Sequence, residues 1–199
     1  MTDTDLNELR RIAEAGRDRP LLGGRDFLIW GTILPLAGLY HGALAAGLFA
    51  APPWSLAISW FGAAMLALAI TKSGGKRDRT PLASAQRVER QVWQAAGATF
   101  GVLAIGLFTH GLVGGFDTVT SAGFAMLAPI SFSIYGIAIS ASAAAAGADW
   151  MKRYAILAFV FAGVTVTIIA NPWLYFVYAL GIFLVSVPLG RGLVAREDG

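Results

Sequence analysis

The chain has 199 residues, of which 56% are hydrophobic and only 14% charged, with a mass of 20.9 kDa and a mean hydropathy of +0.64. Soluble proteins carry about 45–50% apolar and about 25% charged residues, so both a soluble globule and a disordered chain are excluded. The absence of cysteine removes disulfides, thiolate metal sites, iron–sulfur clusters and cysteine nucleophiles together. What remains is an all-α integral membrane protein of one domain.

Residues 1–25 are polar and form an N-terminal arm. Asp5 can cap a helix there, with Glu8 reaching back, and an amphipathic helix is expected over about 5–16. Leu6, Leu9 and Ile12 make its apolar stripe, and Arg10 and Arg11 lie on its polar side. The arm does not read as a signal peptide, because the apolar run behind it is too long for an h-region and lacks a clear cleavage site.

Six apolar spans follow over about 27–51, 53–71, 92–116, 118–148, 153–170 and 172–190. A helix needs roughly 17–25 apolar residues to cross about 30 Å of hydrocarbon. Together they predict a six-helix transmembrane bundle over 26–190, with 191–199 as a tail. A second amphipathic helix over about 81–92 should run unbroken into the third span as one rod of roughly 50 Å. Trp30, Trp54, Trp93, Trp150 and Trp173 fall near span ends, where indole prefers the headgroup level.

All 15 basic residues fall in the arm, the second-to-third and fourth-to-fifth connections, and the tail. The opposite connections contain a single ionisable side chain, Asp117. The positive-inside rule then puts both termini in the cytoplasm, and the excess of arginine over lysine with abundant alanine and glycine points to the plasma membrane of a bacterium. This sorting accounts for the net charge of +3 without a nucleic-acid-binding face, so no direct nucleic-acid contact is expected.

The candidate intramembrane site residues are His41, His110, Tyr40, Ser131 and Ser133. An ionisable residue inside a membrane is a functional candidate by default. His41 and His110 should lie at similar depth in the outer half of the bilayer. Two neutral histidines bonded to helix carbonyls or hydroxyls need no special role. A pH- or ligand-responsive pair, a bis-histidine haem b on His41 and His110, and a metal site completed by Asp117 are the functional alternatives. No cofactor or metal is predicted ahead of these.

Pro35 and Pro129 interrupt the first and fourth spans and are candidate kinks, the positions at which inverted-repeat transporters break their helices. Small residues recur at helical spacing: Gly38 and Gly42 in the first span, Gly97 and Gly101 in the third, serines and alanines in the fourth. They point to close helix packing or to a homodimer face.

No nucleophile–base pair, metalloprotease motif or P-loop is present. The expected role is therefore non-enzymatic: a regulatory, sensing or scaffolding protein that presents its cytoplasmic face to a protein partner. Leu6, Leu9, Ile12, Arg10 and Arg11 would dock that partner or the lipid bilayer. The alternatives are a small-solute transporter or transporter subunit and, third, a bis-histidine haem protein.

Overall fold

The computed structural model describes residues 7, 23–52, 54–73, 84–115 and 118–197. The docking stripe of the arm, Asp117 and the start of the expected 81–92 helix lie outside them. Within them the chain is helical, with no strands: α1 (Gly24–Ala45), α2 (Trp54–Ser73), α3 (Ser84–Gly114), α4 (Thr118–Ala146), a single 3-10 turn (Asp149–Met151), α5 (Lys152–Thr167) and α6 (Leu174–Glu197). Five of these, α5 excepted, are long and apolar enough to cross a membrane, which is compatible with a multi-pass membrane protein. The fifth apolar run gives only the 16 residues of α5, roughly 24 Å of helix. It ends in a turn at 168–170 before Asn171 accepts a hydrogen bond from Trp173 N. The rod expected around the third span is one helix of 31 residues.

In the bundle α1 packs on α2, α3 on α4, α4 on α5 and α5 on α6, and α6 returns to pack along α1 more extensively than any other pair. The core lies among α1, α4, α5 and α6, around Phe27, Phe132, Ile139, Tyr154, Tyr178 and Leu189. Helices α2 and α3 flank it. Their rings meet at Phe61 and Phe108, with centroids 5.7 Å apart, and α2 buries a single residue, Ala67. Apolar side chains face outward on every helix: Met65 on α2 is 64% exposed, Val102 on α3 70%, Ile137 on α4 60% and Ile156 on α5 63%. A helix that is apolar on its outward side as well as its inward side is compatible with a hydrocarbon surrounding.

The helices run up and down, so each connection lies at one of two ends. Arg25, Lys72, Arg87, Arg90, Lys152, Arg153, Arg191 and Arg196 all fall at the end where α1, α3 and α5 begin and α2, α4 and α6 finish. This is the basic end, and the other is the neutral end. Trp54 and Trp173 stand exposed at the neutral end.

The α1–α6 contact is made by glycines at seven-residue spacing. A Cβ on Gly24 would come within 2.2 Å of Gly190 O, one on Gly31 within 2.5 Å of Ser186 Cβ, and one on Gly38 within 3.0 Å of Ala179 Cβ. Gly42 faces the Phe176 ring at 3.0 Å by the same measure. A seven-residue repeat keeps one face of a helix toward its partner, and the missing side chains let the backbones close in. Gly97 and Gly101, which share the four-residue spacing of Gly38 and Gly42, have nothing within 4 Å of a built Cβ. No described residue packs on that face of α3 at these two glycines.

Gly31→Ala should therefore lower the stability of the detergent-solubilised protein by about 1–3 kcal/mol, the range for forced overpacking. Gly97→Ala should leave it unchanged or raise it by up to about 1 kcal/mol, because alanine is the better helix former. Thermal unfolding followed by circular dichroism measures both, and equal effects at the two positions would contradict the seam.

Candidate functional site

One set of polar side chains pairs with aromatic side chains in a column that descends from the neutral end to the basic end. Outside it, buried Thr165 bonds only carbonyls of its own helix, and the buried Thr71 Oγ1 has no hydrogen-bond partner among the described residues. At the top Tyr40 Oη donates to Ser55 Oγ at 2.9 Å. Next to it Trp60 Nε1 donates to His41 Nδ1 at 3.1 Å, and the imidazole stacks on Tyr175 with centroids 3.4 Å apart and planes 17° apart. Because Nδ1 accepts an N–H, it carries no proton, so the ring is the neutral tautomer with its proton on Nε2.

Below this level Trp60 leans on Tyr178 at 5.9 Å. The Tyr178 hydroxyl lies 3.1 Å from Ser131 Oγ, which also donates to Ala128 O at 2.8 Å. Deeper still, Ser186 Oγ donates to the Tyr135 hydroxyl at 3.2 Å. Toward the basic end Trp93 Nε1 donates to Ser142 Oγ at 3.0 Å. Phe27 closes this level, edge-on to Trp93 at 5.4 Å and to Tyr135 at 6.2 Å.

Helix geometry explains the alignment. Ser131, Tyr135 and Ser142 sit at i, i+4 and i+11 on α4, and Tyr175, Tyr178 and Ser186 at i, i+3 and i+11 on α6. Each set occupies one face over about 16 Å of rise. The two faces oppose each other, so a tyrosine of one helix meets a serine of the other. In a dry interior an unpaired hydroxyl is costly, and the pairing removes that cost at every level.

The residues expected from the sequence separate into two groups. His41, Tyr40 and Ser131 belong to the column. Ser133 bonds only to its own helix, donating to Pro129 O at 2.9 Å. His110 is exposed on α3, its ring beside Gly114. Its helix shares no extended interface with α1, and the ring partners of His41 are Trp60 and Tyr175. Pro35 and Pro129 lie inside α1 and α4, both buried, and each withholds one N–H from its helix ladder. Pro188 does the same within α6. Among the described residues no three His, Asp or Glu side chains cluster as metal ligands do.

Trp60, Tyr175, Tyr178 and Ser186 are column members that sequence reasoning passed over. Trp93 lies near a span end, the position of a headgroup-level tryptophan, yet it turns inward to Ser142. The available signal was the coincidence of polar and aromatic positions on one helical face of α4 and one of α6. Comparison with protein-family models, with curated proteins and with solved structures gave no match.

A double-mutant cycle on Trp93→Phe and Ser142→Ala should return a coupling of about 0.5–1.5 kcal/mol, in the range measured for hydrogen bonds between membrane helices. Ser133→Ala should be silent in the same unfolding assay, within about 0.5 kcal/mol. A coupling of zero between Trp93 and Ser142 would show that the column level carries no energy.

Proposed function

We propose that the protein is a multi-pass protein of a bacterial inner membrane with both termini in the cytoplasm, and that it acts there as a non-enzymatic scaffold or regulator for a cytoplasmic protein partner. The observation that carries this reading is the division of labour inside the bundle. The described basic side chains are gathered at one end, whereas the polar side chains of the column are spent on one another. Positive charge marks the cytoplasmic side. A bundle whose interior is filled by Phe27, Trp93, Phe132, Tyr135 and Tyr178 offers its surface at the charged end, rather than its interior, for work. The arm with Leu6, Leu9, Ile12, Arg10 and Arg11 is the docking segment of this proposal, set on the same side.

Affinity purification of the tagged full-length chain from solubilised membranes tests it. A soluble protein should co-purify with the full-length chain and be lost when residues 1–19 are deleted. Recovery of the same proteins with and without the arm would overturn the docking role.

A second reading, passage of a small neutral or weakly basic solute, is favoured by the continuity of the column from Tyr40 to Ser142. It predicts solute flux in proteoliposomes above protein-free liposomes, reduced by His41→Ala. Such flux would replace the scaffold reading, whereas flux equal to protein-free liposomes would remove the transport one.

A further inference from the structure

Two arginines at the basic end are held in a way the column does not explain. The Arg196 guanidinium lies over the Trp150 ring, its Cζ 4.0 Å from the centroid. One of its nitrogens, Nη1, donates to Gly192 O at 2.8 Å. The indole itself is pressed against α6 where that helix has no side chain: a Cβ on Gly192 would come within 2.8 Å of the Trp150 ring. Beside it the Arg153 guanidinium lies over Tyr154, 4.8 Å from the centroid, and its Nη2 donates to the Tyr154 hydroxyl at 2.9 Å. The two rings are edge-to-face neighbours at 6.1 Å and 86°, so both cations belong to one patch where α5 begins and α6 ends.

The patch is built rather than merely basic. Tyr154 and Met151 are buried, and Trp150 packs against Gly192 of α6 and Tyr154 of α5, so the platforms under the guanidiniums are fixed. Each guanidinium has five N–H groups and commits one nitrogen to a neutral acceptor. The remaining donors are exposed at the helix ends. Asp149, in the turn before α5, pairs with Lys152 at 2.5 Å. Among the described residues no carboxylate pairs with Arg153 or Arg196. Two planar forks, pre-oriented by stacking and with no acidic partner among the described residues, suit phosphate oxygens, which accept bidentate hydrogen bonds. Tryptophan and arginine together at a helix end also match the headgroup level of a bilayer, where basic clusters between helices recognise anionic lipids.

We propose that Arg153 and Arg196, on their Trp150 and Tyr154 platforms, form a binding site for the phosphate groups of an anionic phospholipid in the cytoplasmic leaflet. This rests on the membrane reading above. The site selects anionic over zwitterionic lipid, since a choline or ethanolamine headgroup brings its own cation to the two arginines.

The test uses the full-length protein reconstituted in vesicles of mixed phosphatidylglycerol and phosphatidylcholine. Flotation after alkaline wash comes first, and a chain that does not float refutes the membrane reading itself. On floated protein, native mass spectrometry after gentle extraction counts the lipids retained. The wild type should retain phosphatidylglycerol in excess of its share in the vesicle. Arg153→Gln and Arg196→Gln should each reduce that enrichment roughly fivefold, the factor implied by about 1 kcal/mol per basic side chain at an anionic surface. Arg191→Gln, which alters another arginine of the same end, should leave it intact. Replacing both site arginines by lysine keeps the charge and should still lose part of the enrichment, because lysine has no planar fork. Full retention by the lysine variant would overturn the role given to the stacked guanidiniums. Wild-type enrichment in the glutamine variants, or no enrichment at all in floated wild type, would overturn the site. Displacement of the lipid by millimolar inorganic phosphate would overturn the assignment to a lipid headgroup.

Discussion

The structure depends on one constraint: every helix turns apolar side chains outward, so a polar group has few places to go. It can sit toward the end of the bundle, it can turn inward and find a partner there, or it can bond a carbonyl of its own helix, as Ser59, Ser133 and Thr165 do. The basic side chains take the first course and gather at one end. Tyr40, His41, Ser131, Tyr135, Ser142, Tyr178 and Ser186 take the second and become the column. Backbone groups follow the same logic, since helices satisfy them without solvent.

The glycine seam and the column support each other. Gly31 brings α1 against α6 at Ser186, and Ser186 is the residue that meets Tyr135 of α4. The close approach of one helix pair thus helps set the position of a hydroxyl needed by a third helix. Phe27, on the same helix as Gly31, packs against both Tyr135 and Trp93. Displacing α1 would therefore loosen two levels of the column along with the seam. On the opposite side of the core the contacts are of another kind, with rings laid on glycines: Phe159 on Gly136 and Phe161 on Gly181. Van der Waals fit of this sort takes over where lipid is as apolar as the side chains and burial alone gives helices no reason to associate.

Much of the fold was legible in the sequence because it follows from composition along a line. Long apolar runs mark helices, and the alternation of charge sorts their ends. The continuity of α3 through Arg87 and Arg90 into its apolar part was legible from helical spacing alone. The short α5 was not, since Ile168, Ile169 and Ala170 are as apolar as the helix before them and only the turn at Asn171 closes it. The site was less legible, because it is made by what faces what. Gly97 and Gly101 have the spacing of a packing motif, yet no described helix stands against them. Gly24 and Gly31 lie seven residues apart and have α6 directly against them. His41 was visible as an ionisable residue in a span, whereas Trp60 and Tyr175, which hold it, are ordinary aromatic residues until the neighbouring helices are placed. Trp93 lies near a span end, as a headgroup tryptophan does, and only the position of Ser142 shows that it points inward.

The most direct measurement of the central claim is side-selective labelling. The chain has no cysteine, so single cysteines can be introduced without background. Leu48, in the turn between α1 and α2 at the neutral end, and Ser73, the last residue of α2 at the basic end, are both exposed. In intact cells a membrane-impermeant maleimide should modify Leu48→Cys and spare Ser73→Cys, and inverted membrane vesicles should reverse the pattern. Modification of both positions from the same face, or of Ser73→Cys from outside the cell, would contradict the account.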